Sequence, residues 1–390
     1  VAFFGTGTYG NVYHRLIRVS KELAKRGWEI YGFGYDPTKH EQYVWQQDMQ
    51  DIGLKANMEY LVRQSHFSIF QLCQTELATA YMEALQEVVK IPILTDMDDD
   101  PFNVDAWNPG VRVNTMGEQY QIIAAQQLKL CNGVLVSTDQ LKEVALEYNP
   151  QVWVVPNTVD DDWKNLTNAR RLGGKIRIGW QGASAHRGNL RIIKNVVTAI
   201  LEKYPQVEFY FWGPWFPDWA KHPRILTNEQ FVLIHDYPKA FSELGWDINV
   251  CPLQDTLFNR AKSNIRWMDG AALKIPSVVS RTRAYECVRD GEDGLIAQDE
   301  GEWIQALSRL IEDRSFRRRI GAQAHQRVWK DFPVGKAAAV YEQIFQHYLP
   351  LNQELNKASQ EAHEDYLIRQ QAILASGVIK DETKIPVEVK

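Results

Sequence analysis

Cysteine is scarce in this chain of 390 residues: Cys73, Cys131, Cys251 and Cys287 stand far apart, each beside apolar neighbours. That pattern makes neither a disulfide framework nor a metal-ligand set, so buried free thiols in a reducing compartment are expected. Long hydrophobic runs are missing too, and nothing approaches the roughly 20 residues that cross a bilayer. No secretory signal is visible, because Val1 opens directly into a core-like strand; a cytoplasmic location is expected, with peripheral attachment to a membrane left open. The net charge is only −5. A strong basic footprint for nucleic acid is therefore absent. Internal repeats and low-complexity tracts are absent as well.

What is present is an ordinary soluble composition, 45% hydrophobic and 24% charged, over a length that exceeds one hydrophobic core. Two domains follow. Charge divides between them: 12 basic and 19 acidic side chains in residues 1–155, then 27 and 23 in residues 156–349. The mildly basic second part suits an anionic small ligand such as a nucleotide diphosphate.

The order of patterns is alternating strand and helix throughout, hence an α/β class with parallel sheets. VAFFGTGTYG is a strand running into a loop with Gly5, Gly7 and Gly10 at G-x-G-x-x-G spacing. A dinucleotide turn and a plain strand-to-helix turn both fit it. HFSIFQL, IPILTD, GVLVST and QVWVV are further strands, and Glu76–Val89, 113–130 and Asp139–Glu147 are helices. IPILTD ends in an acidic run. Asp96 and Asp98 form D-x-D, which is compatible with a structural loop, an acceptor-side site or a Mg²⁺ or Mn²⁺ site, in falling order of preference. KIRIGWQG opens a second set of strands, and the loop ASAHRGN after it can cradle phosphate at a helix start. The aromatic cluster Trp212, Trp215, Phe216 and Trp219 reads as core packing or as a stacking platform.

The segment Asn249–Ala297 is the most informative. It reads as a buried strand, a polar loop, one helix over Arg260–Leu273, a valine strand and a closing turn. Ligands of such a unit sit at the carboxyl ends of the strands, which puts Asn259, Lys262 and Ser263 at its mouth. Asp269 stands in the otherwise apolar WMDGAAL, where an acid needs a reason.

These residues resemble the nucleotide-sugar glycosyltransferases of the GT-B fold, closest to family 4. Asn259, Lys262, Ser263 and Asp269 match an N-x-x-K-S pattern followed by a helix acid, and YECVRDGEDGLI matches the closing turn. Ala261 occupies the position of the family's first acid. Ser137, Thr138, Leu141, Lys142, Pro156, Asn157 and Asp160 match the end of the family's first domain. Gly182 and His186 match a variant phosphate loop, with Ala183 and Asn189 where Ser and Asp are usual.

The resemblance implies two doubly wound Rossmann-like domains facing a cleft. Residues 1–157 form the acceptor domain, 158–174 a linker and 175–334 the donor domain. A helix near 335–349 returns to the first domain, and 350–390 is a helical, then loose tail. It implies a hexosyl- or pentosyltransferase that is metal-independent and retaining, with a UDP- or GDP-sugar as co-substrate and no permanently bound cofactor. His186, Arg187 and Lys262 would be catalytic. Gly7, Gly182, Ser184, Asn259, Lys262, Ser263 and Asp269 would bind the donor, Asp269 through the ribose. Thr8, Tyr9, Asp98 and Asp99 would face the acceptor: a glycan, a lipid-linked glycan, a protein or a modified DNA base. An inactive GT-B binding subunit and a different two-domain nucleotide-dependent enzyme are the alternatives, and a homo-oligomer is left open.

Overall fold

A computed structural model describes residues 1–6, 12–36, 41–44, 65–72, 75–108, 117–169, 173–213, 218–230, 232 and 236–375. The first set of strands is β1 (Ala2–Thr6), β2 (Tyr31–Asp36), β3 (Glu41–Val44), β4 (Ser68–Gln71), β5 (Ile93–Met97), β6 (Gly133–Val136) and β7 (Val152–Val154). They form one sheet in the order β3-β2-β1-β4-β5-β6-β7. The second set is β8 (Ile176–Gln181), β9 (Val207–Trp212), β10 (Ile225–Asn228), β11 (Ile248–Cys251), β12 (Ser277–Ser280) and β13 (Leu295–Ala297), ordered β10-β9-β8-β11-β12-β13. Among the described residues every pairing is parallel except that of β2 with β3.

Parallel pairing requires helical crossovers, which cover both faces and demand near-continuous apolar strands. GVLV in β6 and SVVS in β12 are buried at every position. Helices of both domains start at side-chain caps that satisfy otherwise open N–H groups: Thr75 accepts from Ala78 N–H, Thr138 from Leu141, Asp299 from Glu302 and Asp313 from Phe316. The result is two doubly wound Rossmann-like domains facing a cleft.

After Asp331 the chain enters a single helix, Val334–Ala375. Its Tyr341, Ile344, Phe345 and Tyr348 join Phe3, Leu16, Leu23 and Ile69 in one buried cluster under the first sheet. Tyr348 Oη also donates to the Asn132 carbonyl at 2.8 Å. The helix runs through Pro350, where the sequence suggests a break; Leu351 still packs on the first core and Asn352 Nδ2 donates to the His66 carbonyl at 3.1 Å. These contacts outweigh the one backbone bond a proline removes.

Two other differences are informative. Strand β10 is not apparent in the sequence because RILTN is short and half polar; as an edge strand it has one neighbour, β9, and needs little apolar surface. The helix expected over Arg260–Leu273 is two, Leu257–Arg260 and Ile265–Ala272, separated by a turn at 261–264. Lys262 and Asp269 therefore do not share a helix. Ser and Asn compete for backbone groups in such a turn, and contacts from the first domain hold it.

Candidate functional site

The carboxyl ends of the two sheets face each other. Asp98 and Asp99 follow β5 and Asn157 follows β7; His186 follows β8, Lys262 and Arg266 follow β11, and Tyr285 follows β12. Together they line a cavity of about 140 Å³ between the domains.

Arg266 is the residue that sequence reasoning missed. It sits in the first turn of Ile265–Ala272, a helix start with no side-chain cap and no acid in its first turn. It is 8% exposed, and its Nη1 and Nη2 are buried with no hydrogen-bond partner among the described residues. Gly182 makes room for it: a Cβ there would lie 2.7 Å from Arg266 Nη2 and 2.8 Å from the Trp180 ring. Trp180 holds the guanidinium from one side, with its ring centre 5.6 Å away. A buried, unpaired cation beside open helix N–H groups is an arrangement that lacks only an anion. Gly182 thus serves the site through what it lacks. The signal was available in sequence: a charged residue between Ile265 and Trp267 needs the same explanation as Asp269.

Lys262 is pinned between domains. Its ammonium lies 2.6 Å from Asp99 Oδ1 and 4.3 Å from the centre of the Phe258 ring. The rest of the turn is also gripped by the first domain. Asn157 Nδ2 donates to Ser263 Oγ at 2.8 Å, and Thr138 Oγ1 to the Ala261 carbonyl at 2.9 Å. Just ahead of the turn, Thr256 Oγ1 donates to Asp105 Oδ2 at 3.0 Å. Trp107 lies over Gly188, where a Cβ would stand 2.4 Å from its ring. Ala261, at the position of the family's first acid, is buried in the first domain's core.

His186 is oriented by a relay of amides. Asn189 Oδ1 accepts from Gln254 N–H and Asn259 Nδ2, both at 3.0 Å. That fixes the Asn189 amide with Nδ2 toward His186 Nδ1, at 3.4 Å. Nδ2 can only donate, so Nδ1 accepts and the imidazole proton sits on Nε2. Burial first, then the Arg266 and Lys262 charges, hold the His186 pKa well below its usual value. His186 is therefore a neutral ring with an N–H to offer.

On the first-domain side, Asp98 lines the cavity half-buried. Burial, then the Asp99 and Asp96 charges, push its pKa up to about 7 against the pull of Arg15 and Lys262. Asp96 plays another part. It is fully buried, and both its oxygens accept from Arg15, with Nη2 to Oδ2 at 2.7 Å. Its carboxylate holds the first domain's helix to β5 and is committed away from the cavity. Among the described residues no cluster of three or more His, Cys, Asp or Glu could hold a metal.

The geometry places three of the expected site residues outside the cavity lining. Asn259 is fully buried and supports Asn189, so it shapes the loop without facing the cavity. Asp269 is 1% exposed; its Oδ2 accepts from Tyr237 Oη at 2.8 Å and from Gln181 Nε2 at 3.4 Å. Burial pushes its pKa up to about 6, against Arg18 and the Tyr237 hydrogen bond. It packs behind the cavity and is not among its lining residues. Arg187 is exposed and stands outside the cavity lining, where Arg266 occupies the place foreseen for it. Of the aromatic cluster, Trp212 stacks on Tyr237 at 5.6 Å inside a buried cluster and Trp219 packs against another, in line with the core-packing reading at these two positions. Gly7, Thr8, Tyr9 and the Ser184 side chain, with Trp215 and Phe216, lie outside the described residues.

Residues 191–343 match the family model described as glycosyl transferase-like. No curated protein matches the chain by sequence. In structure, the Anabaena protein HepE, solved with UDP and glucose, superposes with a TM-score of 0.60 at 12% identity, covering 89% of this chain and 99% of that one. A sucrose-phosphate synthase from Thermosynechococcus elongatus gives 0.59 at 15% identity, covering 90% and 99%. A glycosyltransferase from Rickettsia africae gives 0.61 at 12%, covering 89% and 98%. Full-length superposition at such low identity is a likeness of fold. The chain has the GT-B fold of the nucleotide-sugar glycosyltransferases, with a glycosyl transferase-like region over residues 191–343.

Proposed function

We propose that this protein transfers a sugar from a nucleotide-diphosphate donor, UDP- or GDP-linked, to an acceptor held on the first-domain side of the cleft. The observation that carries the reading is Arg266: a buried guanidinium with two unpartnered nitrogens, beside Lys262, at an uncapped helix start. Transfer requires stabilisation of the charge that gathers on the departing diphosphate. Arg266 meets it with two parallel N–H donors, and Lys262 with a point charge once the diphosphate displaces Asp99. Ser263 stands next to them. The neutral His186 donates its Nε2 proton in a hydrogen bond to donor oxygen without adding charge. Two cations and a helix start supply the positive charge that a divalent metal would otherwise bring, so turnover persists in EDTA. Asp98 faces the incoming hydroxyl, and a pKa near neutrality lets it take or share that proton. Retention of configuration follows the resemblance to family 4 and is read directly from the anomeric signal of the product.

Nucleotide binding to the full-length protein tests the reading. UDP or GDP raises the unfolding temperature by mass action and NAD does not. Stabilisation by NAD alone would replace the glycosyltransferase reading with that of a nicotinamide enzyme. Stabilisation by none would leave a binding subunit.

A further inference from the structure

The donor domain carries a second cavity at the other end of its sheet. It measures about 620 Å³ and lies against Lys175 before β8, Gly245–Asp247 before β11 and Lys274–Pro276 before β12. The cavity between the domains is one strand length away, roughly 13–20 Å at about 3.3 Å per residue.

Its lining is strongly one-sided in charge. Among the described lining residues, Lys164, Lys175, Lys274, Arg314, Arg317 and Arg318 face a single acid, Asp247. That carboxylate is already engaged by the Arg177 N–H at 2.9 Å. Among the described residues Lys164, Lys274, Arg314 and Arg318 have no ion-pair partner within 4.0 Å. Arg317 is held below its usual pKa first by burial, with Arg314 and Arg318 adding to the effect and Asp247 opposing it. The Trp246 indole N–H, from another lining residue, is buried without a partner. Uncompensated cations around a concave volume of ligand size repel one another until an anion enters.

We propose that this cavity is a second ligand site, for a compact phosphate-bearing anion, whether free in solution or presented as a lipid headgroup. Such a ligand recruits two or more of the arginines and lysines at once. Binding falls steeply with salt, because each neutralised charge is screened.

Arg314 and Arg318 are exposed, so replacing them leaves the core intact. The experiment uses the full-length Arg266→Gln protein, in which the interdomain cavity is disabled, and titrates it with inorganic pyrophosphate by calorimetry. One site is expected. Adding Arg314→Gln and Arg318→Gln weakens it about tenfold or more, with an unchanged unfolding temperature in the absence of ligand. Phosphatidylcholine vesicles with and without phosphatidic acid form the second arm. Binding to phosphatidic acid vesicles that pyrophosphate competes away assigns the site to a headgroup; pyrophosphate binding alone assigns it to a free anion. Affinity for either probe that is indifferent to Arg314 and Arg318, or no binding of either, overturns the proposal.

Discussion

Two buried arginines sit on opposite sides of the cleft, and their surroundings differ completely. Arg15, from the first domain, is saturated: Asp96 takes Nε and Nη2, and the Val155 carbonyl and Asn157 take Nη1. Arg266, from the second, has two nitrogens without a partner. A buried charge is costly unless it is paired. The first arginine is satisfied by its own chain and so belongs to the fold. The second has the Trp180 ring on one side but, among the described residues, no hydrogen-bond partner for Nη1 or Nη2, and so is free to take a ligand. Arg18, also buried in the first domain, lies between these cases: its Nε and Nη2 lack hydrogen bonds, but the Asp160 carboxylate stands 3.4 Å from Nε and pairs its charge.

Breaking the saturated arginine should have the largest effect on stability. Arg15→Gln strands the Asp96 carboxylate in the core and should cost about 3–5 kcal/mol, read by urea denaturation. A loss below about 1 kcal/mol would mean that the network is incidental.

Lys262→Ala should come next. The diphosphate gains charge as the bond breaks, so kcat should fall by about tenfold to a hundredfold and KM should move little. A change confined to KM would make Lys262 a ground-state contact. Asp99→Asn sharpens this case: releasing Lys262 from its 2.6 Å partner should tighten donor binding severalfold. Weaker binding would show that the pair orients the lysine.

The remaining effect is a pH dependence. An unfolded aspartate titrates near 3.9, whereas Asp98 in the folded protein titrates at about 7. Between those values the folded state keeps a proton that the unfolded state has released. Its contribution to stability therefore falls as pH rises from about 4 to 7, then levels off. Asp269 shifts in the same direction, so the informative quantity is the difference between wild type and Asp98→Asn. The variant should gain on the wild type across that window, as followed by denaturation at each pH. A difference that is flat with pH would remove Asp98 from the account.

Much of this architecture is legible in the chain because parallel strands buried on both faces leave apolar runs that few other elements produce. β5, β6, β11 and β12 are of that kind. The closing turn is legible for a related reason, as Asp290 and Asp293 bond the backbone of their own loop. The break at 261–264 is not legible, because it is imposed by Asn157, Thr138 and Asp99 from the other domain. Ser263 and Asn264 weaken the helix there but do not by themselves end it. Asp96 and Arg15 are 81 positions apart, so the acidic run alone does not reveal which carboxylate is already occupied. Arg266 stands between Ile265 and Trp267 and Arg187 in the polar AHRGN, a difference that marks Arg266 as unusual without showing what it faces. What the sequence does not reveal is the room left by the absent side chain of Gly182 and the face of Trp180, which receive the Arg266 guanidinium.

The central claim is that Arg266 waits for a diphosphate. Calorimetric titration of UDP and GDP into wild type and Arg266→Gln, with the unfolding temperature of each free protein, tests it most directly. The account predicts that the wild type binds one of the two nucleotides and that the variant binds it at least about a hundredfold more weakly, from the loss of two charge-assisted hydrogen bonds at roughly 1.5–3 kcal/mol each. The free variant should be as stable as the wild type or more so, because an unpaired buried charge has been removed. Unchanged nucleotide affinity together with a destabilised free protein would make Arg266 a structural residue and contradict the account.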